Sequence, residues 1–147
     1  MTNWSVGAVV ASLVAGLGAA EAQIPPSRAE VASYQGLHQA AAIGDAAAVE
    51  RLLQQGVALE ARDGNGRTPF IVAAFAGKAE VMARLAKAGA DVNALDAQAY
   101  DAVTIAAVAN DVETLKAALQ LGNKAGNITS PYSGTALIAA AHLGHEK

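Results

Sequence analysis

The sequence predicts an all-α solenoid of stacked helix-turn-helix units joined by hairpin-like connecting loops. Three observations predict it. Leu37, Ala40-Ala41 and Gly44 return as Phe70, Ala73-Ala74 and Gly77, and again as Val103, Ala106-Ala107 and Asn110, a period of 33 residues. A second landmark, Gly56, Gly89 and Gly122, keeps the same interval; a fixed period of this length marks stacked copies of one supersecondary unit. The third is composition: 53% of the 147 residues are hydrophobic, yet there are only two Phe, one Trp and three Tyr, and much of the rest is alanine. Such a core suits helices packed closely through small side chains and encloses no large cavity.

The first 22 residues stand outside the rhythm. Val6 to Ala20 carries no charge, and Ala20-Glu21-Ala22 has the small-x-small form of a signal-peptidase site, so residues 1–22 are expected to be a secretory signal cut after Ala22. The n-region Met1-Thr2-Asn3-Trp4 lacks Lys and Arg. An uncleaved membrane anchor is the competing reading, although a span needs about 20 apolar residues. Export to the periplasm or beyond is the expected localisation, with membrane association only if the segment is retained. Residues 23–33 form a Pro-containing lead-in, because Pro25-Pro26 cannot continue a helix. Ser27 with Glu30 matches a capping box and predicts a short helix from Arg28 to Tyr34.

Three complete units are expected at about 34–66, 67–99 and 100–133, with a partial fourth at 134–147. The second is the best preserved. Thr68 can cap its first helix and Pro69 fits the first turn, where a missing N–H costs nothing, so a helix is predicted over Pro69–Ala76. Gly77 ends it in the left-handed conformation; Asn110, at that place in the third unit, is the residue next best able to adopt it. A second helix is predicted over Ala79–Lys87, with Val81, Met82 and Leu85 on one side. The matching runs are Ala48, Val49, Leu52 and Leu53 in the first unit, and Leu115, Ala118 and Leu119 in the third. Asp45 and Asp111 can cap this second helix, whereas Lys78 cannot. Asp63-Gly64-Asn65-Gly66 is a tight-turn signal in the connection.

These residues resemble the ankyrin repeat. Gly66-Arg67-Thr68-Pro69-Phe70, Ala73-Ala74 and Gly77, then Ala88-Gly89-Ala90-Asp91-Val92-Asn93-Ala94 and Asp96, are similar to that family's consensus across nearly a whole unit, and the resemblance covers about Tyr34 to Lys147. The Thr-Pro-Leu-His start becomes Gln35-Gly36-Leu37-His38 in the first unit and Asp101-Ala102-Val103-Thr104 in the third, the most divergent unit and the one expected to be least stable alone. The run from Gly134 to His145 resembles the longer exported ankyrin proteins of bacteria.

The resemblance implies a non-catalytic module that binds a protein partner through turn tips and the exposed side of the first helices, which line a concave face. Carried onto this sequence, that face comprises Asn65, Arg67 and Phe75 of the second unit, Gln98, Tyr100 and Val108 of the third, and Tyr132 and His142 of the fourth, with Tyr34 and Ile43 as first-unit equivalents. Aromatic residues and Arg dominate binding hot spots. For Phe75 the competing role is packing on the neighbouring unit, and for Tyr100 and Tyr132 a solvated loop aromatic.

Other functions find little support. A net charge of −3 provides no clustered cations for a phosphate backbone, so nucleic acid is not an expected partner. No cysteine is present, which removes thiolate zinc sites and cysteine nucleophiles. There is no Gly-x-Ser-x-Gly, Walker or His-Glu-x-x-His motif, and Gly64-Asn65-Gly66 lacks a following Lys-Ser or Lys-Thr. Neither an enzyme, a cofactor nor a small-molecule substrate is expected. His38 occupies the place of the family's structural histidine, and a hydrogen bond near the turn is its expected role. His142, His145 and Glu146 have metal-ligand chemistry, but Gly144 interrupts helical spacing, so no metal site is expected. Asn127-Ile128-Thr129 is a glycosylation sequon, meaningful only in a eukaryotic secretory pathway. The chain stops directly after the first helix of the fourth unit, leaving Leu137, Ala140 and Ala141 short of cover, which points to truncation over a partner-covered or frayed end.

Overall fold

In the computed structural model the described residues are 23–129, 135–137 and Gly144. Seven helices form among them: α1 (Arg28–Ser33), α2 (Gly36–Ile43), α3 (Ala46–Gln54), α4 (Pro69–Phe75), α5 (Ala79–Lys87), α6 (Ala102–Val108) and α7 (Val112–Gln120). The expected signal segment, Tyr132, His142, His145 and Glu146 lie outside the described residues. No helix among the described residues is long and apolar enough to cross a membrane.

Local chemistry accounts for the boundaries. Ser27 accepts from the Glu30 N–H while the Glu30 carboxylate accepts from the Ser27 N–H, completing the capping box of α1. This helix ends one residue earlier than expected, because Tyr34 turns extended and buries itself. Thr68 caps α4, with Pro69 in its first turn, and Asp45 and Asp111 cap α3 and α7. Lys78 leaves α5 without a side-chain cap. Asp101 accepts from the Thr104 N–H and does for α6 what Thr68 does for α4, so the divergent start of the third unit still caps its helix. The turn after α4 places Gly77 at φ +66°, and Asn110 holds φ +54° after α6. Helix α4 closes at Phe75, with Ala76 as its C-cap, one residue before the expected end.

The helices stack in two rows. One runs through α2, α4 and α6, the other through α3, α5 and α7, and each unit's two helices pack on each other. Helix α4 is enclosed, and Pro69 to Ala74 are all buried, with Ala73 fully inaccessible where the neighbouring first helices approach. Helix α5 buries Val81, Met82 and Leu85, the side predicted from its spacing. Each such side chain contributes roughly 1.5–3 kcal/mol on leaving water.

Candidate functional site

Two hairpins, 33 residues apart, form the tips of the second and third units. Asp63 and Arg67 close the first through a bond from the Asp63 N–H to the Arg67 carbonyl (3.1 Å), and Asp96 and Tyr100 close the second in the same way (3.0 Å). Each aspartate also organises its own turn. Asp63 Oδ1 accepts from the N–H groups of Asn65 and Arg67, and Asp96 Oδ1 from those of Gln98 and Tyr100. Adjacent tips are tied together. The Ala97 N–H donates to the Asn65 carbonyl (3.0 Å), and Arg62 bridges the Gly66 and Leu95 carbonyls.

The left-handed residue of the first hairpin is Gly66, at φ +70°, and its counterpart in the second is Ala99, at φ +61°. A side chain there meets the strain that normally reserves this conformation for glycine.

The structure overturns three expected contact residues, Arg67, Tyr100 and the first-unit equivalent Tyr34. Arg67 is only 2% exposed and Tyr100 only 4%, so neither stands on the surface. The cause is register. Tyr34, Arg67 and Tyr100 share one place in the 33-residue repeat, immediately before the first residue of the helix cap, and all three are buried. From there the Tyr34 hydroxyl reaches into the next unit and donates to Asp63 Oδ2 (2.6 Å). Arg67 Nη1 donates to Glu30 (3.0 Å) and to Asp63 (3.3 Å), and Nη2 donates to the Ile24 carbonyl (2.8 Å). Its guanidinium also lies 5.5 Å from the centroid of the Phe75 ring, within range of a cation–π contact. The register pattern Tyr, Arg, Tyr was the available signal: three long side chains with polar ends at a position facing the next unit.

Electrostatics follow from these partners. The Ser27 side chain and backbone N–H, together with Arg67, hold the Glu30 carboxyl below its ordinary value. Burial would raise Asp63, but the Tyr34 hydroxyl, two backbone N–H groups and the guanidinium outweigh it and hold its carboxyl low. Burial, reinforced by the Asp63 bond, pushes the Tyr34 phenol up to about 12. Asp96 has backbone donors but only a distant share of Arg67, and burial pushes it up. Two aspartates in equivalent hairpins thus shift in opposite directions: the Tyr34 hydroxyl, with the nearby Arg67 guanidinium, lowers Asp63, whereas burial prevails at Asp96.

The other expected face residues border this buried cluster: Asn65 Nδ2 donates to Glu30 Oε1, and Phe75 lies against the Arg67 guanidinium. Asn65 is exposed at the second-unit tip, and Phe75, Gln98 and Val108 are partly exposed along the third tip and the first-helix row. Ile43 is 59% exposed in the first unit. His38 Nε2 is 2.9 Å from the Arg67 carbonyl, a bond between the first unit and the base of the first hairpin. No group of three metal-ligating side chains occurs among the described residues.

A feature with no sequence signal crosses this face. The lead-in segment lies against the second and third units: Gln23 Nε2 donates to the Ile105 carbonyl (2.9 Å), and the Ile24 N–H donates to Gln98 Oε1 (3.3 Å). With the Arg67 bond to the Ile24 carbonyl, three hydrogen bonds hold it between the tips and the first-helix row.

A family model described as ankyrin repeats (3 copies) matches residues 18–96 and 37–129, together most of the chain. No curated protein matches it.

Proposed function

The chain belongs to the ankyrin repeat family and is a protein–protein interaction module; on that premise we propose that it is non-catalytic and binds one partner protein through the face formed by its tips and first-helix row. The observation that supports this reading is the tied array of tips, in which Arg62 and Ala97 join consecutive hairpins while Asn65, Gln98, Phe75 and Val108 keep accessible surface. A surface held rigid before binding loses less entropy on association. With the lead-in in place, the accessible contact residues are therefore Asn65, Gln98, Phe75 and Val108, while Arg67 and Tyr100 are covered. The test is to recover a partner with the intact chain and repeat the measurement with Asn65→Ala plus Val108→Asp. Retained melting temperature with at least tenfold weaker binding is the expected result, and unchanged affinity would move the interaction to another surface.

We further propose that the protein is exported and that its leader is removed after Ala22. Uncharged Val6–Ala20 followed by Ala20-Glu21-Ala22 supports this reading. Intact-mass analysis of fractionated cells should find a chain beginning at Gln23 in the exported fraction. Met1 retained on protein in the cytosol would overturn export, and Met1 retained in carbonate-washed membranes would replace it with anchoring.

A further inference from the structure

The lead-in is not a passive spacer. Gln23 and Ile24 reach Ile105 and Gln98, at sequence separations of 82 and 74, and so lie on the second and third units rather than on the first unit they precede. They touch the same tips and first helices through which a partner is proposed to bind. Pro25 and Pro26 keep the segment extended, because the proline ring fixes φ and the residue before a proline avoids the helical region. Ser27, at φ −67° and ψ 161°, continues that extended course into the cap of α1.

The manner of attachment is that of a peptide ligand. Two of the three bonds grip the backbone of one residue, Ile24, through its N–H and its carbonyl. The third holds a primary amide, that of Gln23. Little apolar surface is committed, for the Ile24 side chain is 58% exposed and Pro25 is exposed. Polar capacity is left over as well: Gln23 Oε1 and Arg67 Nε are buried without a partner among the described residues. A buried donor or acceptor without a partner costs free energy that a better-fitting ligand recovers.

Resting on the reading of this face as the partner surface, we propose that residues 23–26 are an intramolecular stand-in for the partner, and that the partner presents an extended, proline-containing segment. That segment offers a carbonyl to Arg67 Nη2, an N–H to Gln98 Oε1 and a side-chain donor to the Ile105 carbonyl. Binding is an exchange in which the partner segment displaces the lead-in. Because the lead-in is tethered, its effective concentration is high, and the free face is present only for the fraction of time that the lead-in is detached. The apparent affinity for the partner is lowered by that fraction.

The test uses the full chain and an acetylated, dye-labelled peptide Gln-Ile-Pro-Pro-Ser, identical to residues 23–27. Pro25→Gly plus Pro26→Gly loosens the tether without altering any residue that contacts it. The loosened chain should keep its helical circular dichroism and bind the peptide about tenfold more tightly than the wild-type chain, the scale set by the added freedom of the detached segment. Gln98→Ala in the loosened chain should then weaken peptide binding severalfold. Equal peptide affinity for the wild-type and loosened chains would overturn the exchange while leaving the partner face standing. Loss of partner binding on changing Asn65 and Val108, without any peptide effect, would identify that outcome. Concentration-dependent dimerisation of the loosened chain without peptide binding would also overturn the proposal, in favour of a second copy of the chain as the occupant.

Discussion

Replacing Ala99 by glycine should stabilise the protein, against the usual direction of an alanine-to-glycine change. Ala99 sits at φ +61° in the third-unit hairpin, where the equivalent residue of the second-unit hairpin is Gly66 at φ +70°. An L-residue in this region costs roughly 1–2 kcal/mol. Glycine removes that strain but raises the entropy of the unfolded chain, a loss of about 0.4–1 kcal/mol. The hydrogen bond from the residue-99 N–H to the Asp96 carbonyl (3.0 Å) is unaffected, since it belongs to the backbone. The difference favours glycine by roughly 0.5–1 kcal/mol, or about 1–4 °C in melting temperature for a domain of this size. The mirror change, Gly66→Ala, makes the argument specific. It introduces the same strain and places a Cβ 3.0 Å from the Ala97 backbone nitrogen, which is tied to Asn65 and has no freedom to move away. It should cost about 2–3 kcal/mol. Urea unfolding of the three chains, compared at constant slope, measures both effects. An Ala99→Gly chain less stable than wild type by about 0.5 kcal/mol or more would refute the strain at this hairpin.

Three further changes probe other parts of the structure. Arg67→Met should destabilise the fold by about 2–4 kcal/mol in thermal or urea unfolding, because it leaves Asp63 and Glu30 without their shared cation, while the remaining donors to Asp63 soften the loss. Lys78→Asp should stabilise by about 0.5–1 kcal/mol by giving α5 the cap that Asp45 and Asp111 give α3 and α7; no gain in urea midpoint would show that Lys78 is worth more for its packing beside Gly44. The two hairpin aspartates should respond oppositely to pH. Asp63 and Glu30 are held below their ordinary values, so their stabilisation is present above about pH 5 and drains away as the pH falls through their folded pKa values. Asp96 is raised, so its ionisation weakens the fold as the pH rises through its folded pKa, and Asp96→Asn should gain on wild type at neutral pH and lose that advantage in acid. A wild-type to Asn difference independent of pH, followed by melting temperature, would refute the assignment.

The features legible from sequence are those written within one repeat. Helix α5 runs over Ala79–Lys87 as its apolar spacing predicts, and the caps at Ser27, Thr68, Asp45 and Asp111 are present because capping depends only on residues within a turn. Asn110 takes the left-handed position for the same local reason. What escaped was written between units. Arg67 reads as a surface charge until its partners Glu30 and Asp63 are known, and those contacts are set by stacking. Ala99 has no chemistry that announces a positive φ; only its register with Gly66 does. Nothing in Gln23-Ile24 anticipates Gln98 and Ile105, since a pattern that repeats every 33 residues encodes contacts between neighbours and is silent about a segment that skips a unit.

That skipped unit bears on how the molecule unfolds. A stack in which each copy touches only the next behaves as a one-dimensional chain of coupled equilibria, free to melt from either end. The bonds from Gln23 and Ile24 to Ile105 and Gln98 join the lead-in to the third copy and so close the line into a ring. Fraying at the third copy releases the lead-in, and detachment of the lead-in loosens the third copy, so the described units should unfold more nearly as one than adjacency alone allows. The closing contact becomes available only late in synthesis, because Ile105 follows Gln23 by 82 residues. Its formation is a local report that the first helix of the third copy has been made and has folded onto the stack.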